Sequence, residues 1–95
     1  MMLSLDATVR VPDDIVFREL DGEAVVLNLE SGMYFGLDEV GTRIWQLVDE
    51  HRSLRRALEA LVAEFDAPSS QLERDLLQLI DLLSAKGLVA TSDYL

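Results

Sequence analysis

Leu27-Asn28-Leu29-Glu30-Ser31-Gly32-Met33-Tyr34-Phe35-Gly36-Leu37-Asp38-Glu39-Val40-Gly41-Thr42-Arg43-Ile44-Trp45 is the stretch on which the rest of the chain turns. Before it, apolar residues recur at short, strand-like intervals. After it, they recur every three or four positions. Glu30-Ser31-Gly32 is a short loop with glycine available for a positive φ. Asp38 suits a helix N-cap, since its carboxylate can accept from the free N–H groups of the first turn. Met33–Leu37, aromatic and nearly uncharged, therefore reads as the last strand of a small sheet feeding directly into a helix. A last strand tends to be an edge, with one row of main-chain donors and acceptors unpaired. That row is either a liability or a binding site.

Working outward towards the N-terminus, Glu23–Leu29 is a second strand, with Val25, Leu27 and Leu29 on one face and Ala24, Val26 and Asn28 on the other. Asp21-Gly22 before it is a strong two-residue hairpin signal, and Ile15–Leu20 is the strand that it joins. Val11-Pro12 forces extended backbone, so residues 1–12 read as an N-terminal arm ahead of a domain over 13–90. Towards the C-terminus, a first helix spans Glu39 to Asp49 with Val40, Ile44, Leu47 and Val48 on one face. Gly41 in its first turn costs about 1 kcal/mol against alanine, which points to close backbone contact with a neighbour. Ser53 caps a second helix, where Leu54, Ala57, Leu58, Leu61, Val62 and Phe65 fit an amphipathic period.

Ser70-Gln71-Leu72-Glu73 is a capping box for a third helix, with Pro68 as a rival start. Its main face carries Leu72, Leu76, Leu79, Ile80 and Leu83. Gly87 ends it, and Leu88 is placed for the apolar contact of a Schellman cap. Leu88-Val89-Ala90 reads as a short extended return, and 91–95 as a C-terminal tail. Leu77 and Leu82 lie off the main face on opposite flanks. Such a helix is either buried on several sides or leaves one flank to wall a groove. The expected fold is α+β: an N-terminal three-stranded antiparallel sheet followed by three helices, the order of a winged helix-turn-helix with its sheet first.

Composition narrows the functions. The 95 residues suit one small domain, and about half are apolar. Without cysteine there is no disulfide, thiolate metal site or nucleophilic thiol. No apolar run is long enough to span a bilayer, and Met1-Met2-Leu3-Ser4-Leu5 is too short and lacks the basic flank of a signal peptide, so a cytoplasmic protein is expected. Eighteen acids against eight bases leave a net charge of −10, which opposes phosphate-backbone binding. The single histidine, His51, sits among charged residues. The serines fall at turns, caps and helix surfaces, outside any nucleophile elbow. Gly32, Gly36 and Gly41 lack the lysine of a phosphate loop. No metal spacing exists among the acids, so neither catalysis nor a cofactor is expected.

Two binding features remain. Arg52, Arg55 and Arg56, with Arg43, cluster between the first two helices. They either touch DNA phosphate, as a transcriptional regulator would, or pair with acids such as Glu59, Glu50 and Asp49. The Met33–Leu37 edge beside the third helix suits an extended peptide added as a further strand.

The run from Val25 to Trp45 resembles the core signature of the PqqD family, precursor-peptide recognition elements of ribosomally made, modified peptides. Asp75-Leu76-Leu77, Leu83 and Lys86-Gly87-Leu88-Val89 are similar to the family's end. The resemblance implies a non-catalytic adaptor without cofactors. It would hold a leader peptide between third strand and third helix and present it to a maturation enzyme: a radical SAM enzyme, a cyclase or a leader peptidase. On this chain the strand side is Met33, Tyr34, Phe35, Gly36 and Leu37, and the helix side Leu72, Asp75, Leu79 and Leu82, with Leu77 the alternative flank. Leu82 departs from the resemblance, which implies a polar residue there. A monomer or weak homodimer is expected, with neither nucleic acid nor membrane as a partner.

Overall fold

In the computed structural model, which describes residues 4–92, the chain runs β1 (Thr8–Arg10), β2 (Ile15–Leu20), β3 (Glu23–Asn28), β4 (Tyr34–Leu37), α1 (Glu39–His51), α2 (Leu54–Glu64), α3 (Ser69–Ala85) and β5 (Ala90–Ser92). Asp21 and Gly22 take φ of +55° and +82°, the left-handed pair of a type I′ turn. That turn sets β2 against β3 with Leu20 opposite Glu23. Gly32, at φ +79°, closes the next loop, and β4 pairs antiparallel with β3. The result is an α+β fold with a three-stranded antiparallel sheet, order β2-β3-β4, and three helices.

The period of two divides the sheet into two faces. Phe17, Ala24, Val26, Phe35 and Leu37 point inward, where α1 packs beneath them. Trp45 of α1 stacks on Phe17 with ring centroids 5.9 Å apart and planes 10° from parallel. The outer face carries Val16, Arg18, Leu20, Val25, Leu27, Tyr34 and Gly36.

The helix ends largely match their sequence signals. Asp38 Oδ1 accepts from Gly41 N at 2.8 Å, and Ser53 Oγ from Arg56 N at 3.3 Å. Gly87, at φ +74°, donates to Ser84 O while Leu88 N donates to Leu83 O, which is the Schellman pattern, and Leu88 is buried. The third helix differs at its start. It begins at Ser69, one residue before the expected capping box, and Pro68 stands at the cap with no side-chain bond. A missing cap costs about 1 kcal/mol. Buried Leu72, Leu76, Ile80 and Leu83 contribute roughly 1.5–3 kcal/mol each, so packing and not capping holds α3.

The pairing of two short strands was not expected. Thr8–Arg10, within the segment read as an arm, pairs antiparallel with Ala90–Ser92. Val9 N donates to Arg52 O and Leu54 N to Ala7 O, so the arm is also bound to the α1–α2 turn. Ala7 and Val9 are core residues. The extended return therefore falls two residues later than Leu88, and the expected tail begins as strand; 93–95, like 1–3, lie outside the described residues.

The close contact expected at Gly41 is with its own cap. A Cβ there would sit 3.2 Å from Asp38 Oδ1 and 3.3 Å from Leu37 Cδ2. Gly41→Ala should consequently yield little of the ~1 kcal/mol that alanine normally adds to a helix. Urea unfolding measures it, and a full gain would show that the cap yields without cost.

Candidate functional site

Antiparallel pairing alternates residues that bond across the ladder with residues that point away from it. Asn28 N donates to Met33 O at 2.8 Å, so the same phase makes Val26–Phe35 and Ala24–Leu37 bonded pairs. The main-chain groups of Tyr34 and Gly36 then face away from β3. Among the described residues no strand pairs with that edge. The unpaired row is supplied by Tyr34 and Gly36, and Phe35 belongs to the internal ladder.

This edge borders a groove of about 520 Å³. Phe35, Gly36, Leu37 and Asp38 form one wall. Val40, Gly41 and Ile44 of α1 make the floor, and Asp75, Gln78, Leu79 and Leu82 of α3 the far wall. It is mainly apolar, with the Asp38 and Asp75 carboxylates and the Gln78 amide as its polar groups. Asp38 is partly engaged already, through its bond to Gly41 N.

Of the residues expected to form a site, Phe35, Gly36, Leu37, Asp75, Leu79 and Leu82 meet in this groove. Met33 and Tyr34 lie further along the edge, Tyr34 with 67% of its surface exposed. Leu72 does not reach the groove: it is 4% exposed and belongs to the core. Leu77 packs against the core, whereas Leu82, 49% exposed, lines the groove; of the two flanks of α3, Leu82's is the open one. The floor was missed in the sequence. Val40 and Ile44, four apart, read as core; Ile44 is core at 2% exposure, whereas Val40, in the first turn at the sheet edge, is only partly covered.

The arginines occupy a different region. Arg43 Nε and Nη2 donate to the two carboxylate oxygens of Glu64 at 2.7 and 2.9 Å, which holds the Glu64 carboxyl below its usual range. Arg52 bonds Asp49, and Arg55 bonds Asp6. The α1–α2 turn that would meet a DNA backbone is bridged by β1, and His51 lies 3.3 Å from Glu50. Among the described residues no group of acids and histidine could hold a metal, and no helix is long and apolar enough to cross a membrane.

Comparison with known proteins gives a consistent picture. The family model described as "Coenzyme PQQ synthesis protein D (PqqD)" matches residues 23–89. Proteins named "PqqA binding protein" from Xanthomonas euvesicatoria pv. vesicatoria (strain 85-10) and Xanthomonas axonopodis pv. citri (strain 306) are each 40% identical over 53 residues, 56% of this chain. The match spans only 58% of those relatives' own length. Among solved structures, TbiB1 in complex with the TbiA(beta) leader peptide superposes with a TM-score of 0.78 and 37% identity, covering 85% of this chain and 94% of that one. A lasso peptide synthetase B1 complexed with the leader peptide has a TM-score of 0.75 at 24% identity, covering 86% and 96%, and shares the fold.

Proposed function

Because the chain belongs to the PqqD family, whose model covers residues 23–89, we propose that it is a non-catalytic adaptor binding the leader segment of a ribosomally made precursor peptide. The leader adds as a strand to the edge of β4, and its side chains enter the groove against α3. The bound precursor is thereby presented to a maturation enzyme: a radical SAM enzyme, a cyclase or a leader peptidase. The three helices with their sheet act as a winged helix-turn-helix turned to peptide, working in the cytoplasm where such precursors are translated.

The observation that carries this reading is the unpaired edge at Tyr34 and Gly36 beside an apolar groove. Alternation along an added strand sends every second side chain towards the groove, opposite Phe35 and Leu37. Met33 and Tyr34 extend the edge beyond it. The two edge residues offer up to four main-chain bonds. At roughly 0.5–1.5 kcal/mol each, these fall short of the ~8 kcal/mol of micromolar binding. Apolar leader residues at i and i+2, packed on Leu37, Leu79 and Leu82, must supply the rest.

Amide chemical-shift titration tests the reading, with leader segments of short precursor peptides encoded beside this chain's gene. The largest changes are expected over residues 33–37 and along α3 at Asp75, Leu79 and Leu82, with Arg52, Arg55 and Arg56 unchanged. Changes concentrated on the α1–α2 turn would sink it.

A further inference from the structure

We propose that the added peptide strand is read on both of its faces: an aromatic side chain opposite Gly36, pointing away from the groove, lies over Gly36 and packs on Val25. This rests on the strand-addition reading and extends it to the opposite side of the sheet.

Gly36 is the starting point. Glycine inside a strand weakens it and often marks close approach of another chain. Here its conformation does not require glycine, since its φ lies outside the left-handed region, unlike Gly22, Gly32 and Gly87. Nor does space require it, since a Cβ at Gly36 would meet nothing within 4 Å. The fold would accept a side chain at this position, and the absence of one leaves room on the outer face.

That room is a second concavity, bounded by Arg18, Leu20, Glu23, Val25 and Gly36. Register places Gly36, Val25 and Arg18 in one row across the three strands. Two of the apolar residues are unusually bare, Leu20 at 77% and Val25 at 44% exposure. A strand bonded to Gly36 would have the facing residue's side chain on this same outer side, first in the row. It would stand about 5 Å from β4 and about 10 Å from β3. A small side chain cannot cross the bare glycine to reach Val25, whereas an aromatic ring can. Pairing of an aromatic with an edge glycine is a known means of covering such a gap. Arg18 ends the row on β2, its guanidinium turned to the far edge of the sheet by a 3.1 Å bond to Phe17 O, so Val25 is the side chain that the ring meets. The peptide motif is thus apolar–aromatic–apolar, the flanking residues entering the groove and the middle one lying outside.

Selection from a displayed library of random dodecapeptides tests the proposal without knowledge of the natural leader. Peptides enriched on the wild-type protein should carry an aromatic between two apolar residues, and its ring should shift the Val25 methyl resonances. Replacing that aromatic by alanine should weaken binding ~10-fold on the wild type, in keeping with a buried ring. The same replacement should cost about twofold or less on Gly36→Val, which fills the gap, and on Val25→Ser, which removes the apolar surface that the ring packs on. If alanine costs the same on all three proteins, or the Val25 methyls stay unmoved, the outer-face inference is overturned while strand addition stands. If peptides with no central aromatic are enriched equally, it is overturned as well. Enrichment of no peptide at all would overturn both.

Discussion

Gly36→Pro is expected to weaken leader binding by about 10–100-fold while leaving the folded state nearly as stable as before. The N–H at position 36 points away from β3, so proline removes a donor that the fold does not use and places its ring where an incoming strand must lie. Proline is tolerated on edge strands in this orientation. Phe35 before it is already extended, as a residue preceding proline must be. Phe35→Pro is the contrasting substitution. It removes an N–H that bonds Val26 and disturbs a ring packed on the core, and should cost about 3 kcal/mol or more in stability. Calorimetric titration with the leader and urea unfolding of both variants separate the two effects. Wild-type affinity in Gly36→Pro would show that the edge is not the peptide's partner.

Trp45→Ala should be among the most damaging single changes, at about 3–5 kcal/mol. The indole is 3% exposed and lies between the sheet's inner face and the helices, stacked on Phe17. Its removal leaves a cavity bordered by elements that cannot close on it together, because α1 is tied to β4 by the Asp38 cap. The stacking contributes a further ~0.5–1.5 kcal/mol beyond burial. Small domains have roughly 5–15 kcal/mol in total, so the variant should be close to unfolding at room temperature. Trp45→Phe, which keeps the stack, should lose much less. Equal urea midpoints for the two variants would show that the ring stack contributes nothing.

The parts of the fold that sequence made legible are those specified by neighbours in the chain. Asp21-Gly22 fixes its hairpin through its own backbone preferences, and Asp38, Ser53 and Gly87 each act within a few residues of themselves. The β1–β5 pair was invisible for the opposite reason. Thr8 and Ser92 are 84 residues apart, and three-residue strands carry too little alternation to reveal a period. Of the site, the edge position of β4 could be read from its place between a turn and a helix cap, whereas the Leu79–Leu82 stretch of α3 was placed by the family resemblance. Leu72 could not be placed by patterning, because a stripe on a helix does not show where the neighbouring element stops covering it. The roles of Phe35 and Gly36 at the edge depend on hydrogen-bond phase, which the loop closing at Gly32 sets and composition does not disclose.

The pairing of Thr8 with Ser92 also governs where the module can be spliced. Near the two ends of the folded unit, Thr8 and Ser92 lie about 5 Å apart, the spacing of paired strands. A surface loop of an enzyme could be cut and this unit inserted without forcing the cut ends apart. Equally, a short bridge across those ends would allow the chain to be reopened elsewhere, for instance at the Asp66–Ser69 connection, where Asp66, Pro68 and Ser69 are exposed and Ala67 alone leans on the core. The groove and its edge strand lie wholly between the two ends, so such rearrangements would carry the recognition surface along intact.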